Sequence, residues 1–269
     1  ASHNLYYDNG IKFFDNKGEK LSSNIEKKIE SYLGNQPLTK SSKNLGRTIH
    51  CGVDRRKYQD FCKSAISPDI DFSSLKIVVD GANGAAYKVL PRVISELGAE
   101  VIPIGCSPNG RNINEGCGST NPDLLKLTVS GVKADAGIAL DGDGDRLIMV
   151  DHTGQIIDGD RLLFILAKDR HERGLLKGPV VGTAMSNLGL EKSLNNMGIV
   201  FHRADVGDRN VLKMLKEING NLGVEPSGHL IDLDKATTGD GLLASLQILE
   251  IMLRNNLSLN ELSSEVNNL

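Results

Sequence analysis

The sequence predicts an α/β fold: two consecutive α/β domains with mixed, mostly parallel sheets, preceded by the tail of a third, similar domain. Short apolar runs alternate with stripes of helical period from residue 75 onward, and strand–helix–strand order at this spacing favours a parallel sheet with helices on its faces. The 269 residues also exceed one average domain and suit two. We place the three parts at 1–53, 54–156 and 157–269.

The first part of the chain predicts helices rather than strands. A helix is expected over 25–33, where apolar residues recur at helical spacing between the N-cap candidates at 22–23 and the stop Gly34. Residues 40–47 are polar and indicate a connection, and the apolar spacing over 58–62 indicates a second, short helix.

The middle domain begins with an apolar run of the kind found in buried strands, closed by a glycine-rich turn. In order, we predict a strand at 76–80, a turn at 81–84, a helix at 89–97, and strands at 100–104, 134–140 and 147–150.

The last domain repeats this alternation after a junction near 154–158. In order, we predict a strand at 179–183, a helix at 188–197, a strand at 198–202, a helix at 211–218, a strand at 230–233 and a long helix at 240–253. Asp240 is the N-cap candidate of that last helix, whose broad apolar face indicates burial.

Composition excludes several classes of partner. The net charge is −3, with 39% hydrophobic and 24% charged residues, and the basic residues are scattered, so we expect no nucleic-acid or membrane partner. No apolar run reaches the roughly 18 residues of a membrane span, and no signal peptide is visible. Four cysteines (Cys51, Cys62, Cys106 and Cys117) have neither metal-ligand spacing nor the density of a disulfide scaffold, which predicts a cytoplasmic protein.

An acidic loop predicts a metal site. Asp141, Asp143 and Asp145 alternate with glycines directly after an apolar strand, and the glycines allow the backbone to curl so that the carboxylates converge. Several carboxylates together with a substrate phosphate are a usual environment for Mg²⁺. Arg146 adds a fixed cation that could hold a phosphate beside the metal.

Three other interpretations of this loop remain open at this point. It could be a solvated acidic turn, although three close like charges repel without a counter-ion. An EF-hand fits less well, because its sixth and twelfth positions would be Arg146 and His152 instead of Gly and Glu. A phosphatase with Asp141 or Asp143 as its nucleophile is a further alternative.

Three segments together resemble the α-D-phosphohexomutase family. Residues 141–146 resemble its metal loop, residues 2–12 its phosphoserine loop, and residues 225–229 its sugar-binding loop, in the same order and spacing. Further stretches resemble the glucosamine branch of this family: 77–84, 112–122, 185–189, 206–209 and 237–241.

The resemblance implies the following roles around the reacting group. Ser2 would be the phosphoserine that gives its phosphoryl group to the sugar and later receives one back. The three aspartates would hold Mg²⁺, with an oxygen on Ser2 as a further ligand. His3, Lys12 and Arg146 would line the reacting phosphate.

The resemblance also implies a sugar site. Glu225 and Ser227 would bind sugar hydroxyls, and the single residue between them would let both face the same side of an extended segment. His229 would stand near the transferring group, and Arg209 would contact the phosphate or the sugar.

The implied activity is the interconversion of glucosamine 6-phosphate and glucosamine 1-phosphate through a bisphosphorylated sugar, supplying amino-sugar nucleotides and cell-wall precursors. The partner would be a small phosphosugar, and a homodimer is a candidate assembly. The alternatives are a truncated, non-catalytic relative that binds phosphosugar or metal, and a phosphomannomutase or phosphoglucomutase.

The sequence also departs from the family pattern. Leu5 and Asp205 stand where we expect proline and lysine, and Asn121, Asn210 and Pro226 replace a histidine, a tyrosine and a glutamine. The family has four domains, so we expect a chain truncated at both ends, with the fourth domain absent and little turnover as it stands.

Overall fold

The computed structural model describes residues 2–37, 39–47 and 55–266 of the chain. Its strands form two mixed sheets. They are β1 (Lys76–Asp80), β2 (Glu100–Ile104), β3 (Ala136–Leu140), β4 (Leu147–Asp151), β5 (Ile156–Ile157), β6 (Val180–Thr183), β7 (Phe201–Ala204), β8 (Leu222–Val224) and β9 (Leu230–Asp232).

Helices cover both sheets. They are α1 (Ser23–Leu33), α2 (Arg55–Ser64), α3 (Val89–Glu96), α4 (Asp123–Val132), α5 (Gly159–Glu172), α6 (Leu188–Asn196), α7 (Asp208–Ile218), α8 (Gly241–Asn255) and α9 (Leu259–Ser263). A short 3₁₀ helix lies at Ser42–Asn44. No helix in the described parts of the chain is both long and apolar enough to cross a membrane.

The first sheet has the order β2-β1-β3-β4-β5. β1 pairs in parallel with β2 and β3, whereas β4 pairs antiparallel with both β3 and β5. All residues of β3 and β4 are buried, because helices cover both faces of these central strands. The antiparallel β3–β4 pair places the acidic loop 141–146 at a tight reversal between two buried strands.

The second sheet has the order β7-β6-β8-β9. β6 pairs in parallel with β7 and β8, and β9 runs antiparallel to β8. The β8–β9 hairpin is closed by residues 225–229, so this sheet also ends in a loop that the sequence singled out. Both sheets therefore present a reversal that carries polar residues.

The two α/β domains share one hydrophobic core. A single cluster of buried side chains joins Leu140 and Leu147 of the first sheet to Leu242, Leu246 and Leu249 of α8. α5 is buried on nearly all sides, which is typical of a helix in the interior of a larger body. The domains are consequently packed together and not merely linked.

The N-terminal part lies on the outside of this body. α1 has no buried residue, and Tyr7, Ile11 and Leu33 are exposed by 73%, 81% and 79%. Among its described residues, the only β-pairing is one antiparallel bridge between Phe14 and Lys20. Backbone and side-chain contacts attach it to the acidic loop, the side chain of Asn114 binds its first residues, and side-chain contacts join it to α7.

The expected order of strands and helices is confirmed, with differences in detail. α4, α5, α9 and the short strands β5 and β8 were not expected, and β7 lies at Phe201–Ala204 instead of 198–202. The amides of Gly198 and Ile199 donate to carbonyls at the end of α6, so these residues close the helix before the strand begins. The expected boundary at 53/54 and Cys51 lie outside the described residues.

Candidate active site

The acidic loop is built around Asp141. This side chain is fully buried, and its Oδ1 accepts hydrogen bonds from the backbone N–H groups of Gly144 and Arg146, both at 3.1 Å. Gly144 adopts φ 79°, a conformation that glycine adopts without strain. The loop therefore curls around its first carboxylate and turns the next two outward.

The three carboxylates form a donor set suited to a hard cation. One oxygen from each of Asp141, Asp143 and Asp145 lies within 4.8 Å of the others. The Oδ1 atom of Asp145 is buried and has no hydrogen-bond partner within the described residues. An all-oxygen set with an unsatisfied buried acceptor fits Mg²⁺.

The pKa values of the loop carboxyls also fit a site for a cation. Burial, reinforced by the neighbouring charges of Asp145 and Asp143, raises the pKa of Asp141 to about 6. Burial also opposes ionisation of Asp145, but the nearby His229 and Lys12 outweigh it and hold the pKa of that carboxyl well below its usual range. The loop concentrates negative charge that a divalent cation would offset.

Ser2 lies directly on this loop. Its Oγ donates a hydrogen bond of 2.7 Å to Oδ2 of Asp141, and its carbonyl oxygen accepts from the N–H of Gly142 at 2.8 Å. A Cβ added to Gly142 would lie 2.7 Å from that carbonyl oxygen. Glycine at 142 therefore allows the closest approach of the two segments, and the hydroxyl of Ser2 reaches the carboxylates.

Cations face the same point. Lys12 Nζ binds Asp143 and, at 2.9 Å, Asp145, and these hydrogen bonds outweigh its partial burial and raise its pKa. Arg146 Nε lies 3.9 Å from Asp141. Partial burial and the positive charge of Arg146 lower the pKa of His3, which favours the neutral imidazole.

The sugar-loop candidate is attached to the acidic loop by backbone contacts. The N–H of Leu147 donates to the carbonyl of Gly228 at 2.9 Å. Gly228 has φ 93°, and a Cβ on it would lie 2.2 Å from the carbonyl oxygen of Leu147. Within the loop, the carboxylate of Glu225 accepts from the N–H of Gly207 at 2.8 Å, and Ser227 is exposed.

His229 stands between two domains. It is buried, with Nδ1 at 3.6 Å from Asp145 and Nε2 at 3.6 Å from Asp208. Asp208 also binds Lys20, so polar side chains form a continuous row from the N-terminal part, through α7, to the acidic loop. Sequence reasoning missed Lys20 and Asp208, although Asp208 lies within the matched stretch 206–209.

Helix α8 closes the acidic loop from the other side. The N–H of Gly241 donates to the carbonyl of Gly144 at 2.9 Å, and Asp240 caps the helix by accepting from Leu243. Tyr58 of α2 donates its hydroxyl to the same Asp240 at 2.8 Å. The expected cap is confirmed, and it lies directly beside the candidate metal site.

A cleft of about 700 Å³ opens in front of these groups. The N-terminal segment, the acidic loop and Thr238 and Gly239 line it. The structure brings together most of the residues singled out in the sequence: Ser2, His3, Lys12, Asp141, Asp143, Asp145, Arg146 and His229. Arg209 is instead engaged by Glu26 of α1.

Comparison with known protein families covers most of the chain. The phosphoglucomutase/phosphomannomutase α/β/α domain models match in order: domain I at 1–40, domain II at 56–154 and domain III at 158–269. The chain is 53% identical over 266 residues to the phosphoglucosamine mutase of Legionella pneumophila strain Lens, and 54% identical over 267 residues to that of Mannheimia succiniciproducens. Each alignment covers 99% of this chain and 58% or 60% of the relative.

Solved structures share the fold. A putative phosphomannomutase from Thermus thermophilus matches with a TM-score of 0.84 at 23% identity, over 99% of this chain and 61% of that one. Aspergillus fumigatus N-acetylphosphoglucosamine mutase matches with a TM-score of 0.75 at 17% identity, over 100% of this chain and 72% of that one.

Tandem α/β domains that bring a serine hydroxyl onto an aspartate triad define a protein of the phosphohexomutase class. The chain belongs to the phosphoglucomutase/phosphomannomutase family. The curated relatives named above are phosphoglucosamine mutases, and the chain spans about three fifths of their length.

Proposed function

We propose that this chain carries the phosphoryl-transfer centre of a phosphoglucosamine mutase, which interconverts glucosamine 6-phosphate and glucosamine 1-phosphate. The observation that carries the proposal is the hydroxyl of Ser2, hydrogen-bonded at 2.7 Å to the aspartate triad. The relatives at 53–54% identity support the particular substrate. Because the chain spans three fifths of those relatives, the activity of the whole protein is part of the proposal.

Ser2 is the proposed phosphoryl carrier, and the three aspartates are the proposed ligands of Mg²⁺. A bound Mg²⁺ would stabilise negative charge on the transferring phosphoryl group. Asp141 holds the hydroxyl of Ser2 in place, and Asp143 and Asp145 present oxygens on the cleft side of the loop. This arrangement supplies positioning and charge stabilisation, which are the main demands of phosphoryl transfer.

The cations complete the proposed phosphate site. Lys12 and Arg146 lie within 4 Å of the acidic loop, close enough to bind the oxygens of a phosphoryl group on Ser2. His3 has a lowered pKa, so its neutral imidazole can accept or return a proton at Ser2 or at a sugar hydroxyl. His229 lies 3.6 Å from Asp145 through its Nδ1, and we propose that it stands near the transferring group.

The sugar loop supplies the proposed specificity. Glu225 and Ser227 offer an acceptor and a hydroxyl for adjacent sugar hydroxyls, and the Gly228–Leu147 contact fixes their distance from the metal loop. Arg209 lies at the start of α7, where it lines a neighbouring cavity together with Lys12, and could contact the second phosphate after leaving Glu26. The Aspergillus relative of this fold was solved with GlcNAc-6P and magnesium.

The biological setting follows from the proposed reaction. The product would supply amino-sugar nucleotides for cell-wall precursors, in the cytoplasm. The partners would be phosphosugars, without nucleic acid or membrane, and a homodimer remains the candidate assembly.

The sugar specificity can be tested by measuring how fast different sugar phosphates remove the phosphoryl group from phosphorylated Ser2. Chain carrying a phosphoryl group on Ser2 is mixed with glucosamine 6-phosphate, glucose 6-phosphate or mannose 6-phosphate, and loss of the group is followed by intact mass. We expect discharge by glucosamine 6-phosphate to be at least about tenfold faster than by the others, a difference of about 1.4 kcal/mol in transition-state binding. Fastest discharge by mannose 6-phosphate would move the chain to the phosphomannomutase branch, and binding without discharge would favour a non-catalytic relative.

A further inference from the structure

Asn114 contacts the backbone of the serine loop from the middle domain. It lies in the long connection between β2 and α4, is only 5% exposed, and has φ 56°. Its Nδ2 donates to the carbonyl oxygen of Ser2 at 3.0 Å and to that of Asn4 at 2.8 Å. One side-chain amide thus binds two carbonyls on either side of His3.

The orientation of this amide is unambiguous. Both partners are backbone carbonyl oxygens, which only accept hydrogen bonds, so the NH₂ group must face them. Its Oδ1 is buried and has no hydrogen-bond partner within the described residues. A buried amide that satisfies its donors while its acceptor stays unpaired is costly, and the unusual arrangement suggests a positional role.

Asn114 is itself anchored to the sheet. Its N–H donates to the carbonyl of Ala82 at 2.9 Å. The N–H of Ala82 donates in turn to the fully buried carboxylate of Asp80 at the end of β1, which also accepts from Gly118. The backbone at Ala82 and at Gly118 is therefore hydrogen-bonded to one buried carboxylate. Asn114 is bonded to the first of these segments and extends its side chain to Ser2.

The carbonyl oxygen of Ser2 lies between two donors from the middle domain. Asn114 binds it from one side, and the N–H of Gly142 binds it from the acidic loop. The carbonyl of Gly142 accepts in turn from Ala85. Because the side chain of serine has a single torsion before Oγ, fixing its backbone largely fixes the hydroxyl relative to Asp141.

We propose that Asn114 is a positioning residue for Ser2: its amide holds the backbone of residues 2–4 so that the Ser2 hydroxyl stays on the aspartate triad. The inference rests on the proposed function in one respect: the expected effect of Asn114 on the rate of phosphoryl transfer to Ser2. Misplacing a reacting group by about 1 Å can cost roughly 100-fold in rate. Asn114 touches neither the sugar loop nor the three carboxylates in any hydrogen bond of the described residues.

Two variants test the proposal in the full chain. Asn114→Gly keeps the left-handed backbone and removes the amide. Asn114→Asp keeps the size but turns carboxylate oxygens toward two carbonyl oxygens. Asn219→Gly is the matched control, because Asn219 is an exposed asparagine with the same φ of 56° at the end of α7.

Hydrogen exchange is the deciding measurement. We expect the amides of Asp8 and Gly142, which donate to the carbonyls of Leu5 and Ser2, to exchange several-fold faster in both Asn114 variants and at the wild-type rate in Asn219→Gly. Unchanged exchange at both places would overturn the proposal, whether or not Ser2 accepts phosphate. If both Asn114 variants exchange faster but the wild type never accepts phosphate, the anchoring by Asn114 is supported and only the proposed function is contradicted.

The kinetic measurement separates positioning from general stability. With a hexose 1,6-bisphosphate and Mg²⁺, we expect loading of Ser2 to slow by about 10- to 100-fold in both variants, consistent with a displaced nucleophile. Calorimetric affinities for Mg²⁺ and for glucosamine 6-phosphate should stay within about twofold of wild type. Where the wild type does load, equal loading rates in wild type and both variants would also overturn the proposal.

Discussion

At the scale of single residues, the acidic loop and Ser2 show how far sequence reasoning reaches. Alternating aspartates and glycines after an apolar strand were enough to expect a metal site, because local spacing determines where the carboxylates point. The placement of Ser2 beside them depended on the family resemblance. Asn114 and Asp208 lie within stretches that resemble the family, but neither they nor Lys20 received a role, since their contacts join residues more than 100 positions apart.

Gly142 provides a prediction at this scale. Its φ lies in the ordinary region, but a Cβ would come within 2.7 Å of the Ser2 carbonyl and 2.8 Å of Asn114 Nδ2. We expect Gly142→Ala to push the serine loop off the triad and to slow loading of Ser2 by at least about tenfold. Intact mass after incubation with a hexose bisphosphate measures the effect.

The control for Gly142 is a glycine with free space. Gly131, in α4, would place a Cβ with nothing within 4 Å, so Gly131→Ala should load normally and gain up to about 1 kcal/mol in helix stability. Normal loading by Gly142→Ala would show that the close approach of the two segments is not needed.

At the scale of helices and strands, periodicity predicted the amphipathic elements and missed the buried or short ones. α5 is buried on nearly every side and buries charged residues as well, among them Asp160, Asp169 and Arg170, so no apolar stripe of helical period marks it. α4 contains Thr128, Val129 and Gly131, which weaken helix propensity, and β8 has only three residues. The strand expected at 198–202 began too early because the closing turn of α6 continues the apolar run.

Asp151 provides a prediction at this scale. It ends β4, is fully buried, and accepts from Thr153, Gln155 and Asn260 of α9. Burial alone would raise the pKa of Asp151, but these hydrogen bonds outweigh it and lower the pKa. A lowered pKa means that the folded state holds the ionised form more tightly than the unfolded state does, so Asp151 stabilises the fold above the ordinary carboxyl pKa.

Replacing that carboxylate should therefore cost stability in a pH-dependent way. We expect Asp151→Asn to lower the free energy of unfolding by about 1–3 kcal/mol at pH 7, and the difference from wild type to shrink as pH falls through the lowered pKa. Urea unfolding at several pH values measures it, with Asp69→Asn as an exposed control. A difference that grows towards acid pH would contradict the assignment.

At the scale of the whole molecule, three parts of the chain meet at one loop. The N-terminal part brings Ser2 and Lys12, the middle domain supplies the aspartates, and the last domain fixes the loop through Gly228 and Gly241. The hydrophobic core of the two α/β domains is also continuous. The order of the motifs predicts that these three parts meet, but the contacts between them are visible only in the folded structure.

Acceptance of a phosphoryl group by Ser2 at the aspartate triad is the event on which the proposed function depends. The most direct measurement is intact mass with peptide mapping after incubation with glucosamine 1,6-bisphosphate, with and without Mg²⁺. We predict one phosphoryl group on Ser2 in wild type, none in Ser2→Ala or after removal of the metal by a chelator, and normal loading in the exposed control Ser31→Ala. No uptake by wild type, or equal uptake by Ser2→Ala, would contradict the proposed function.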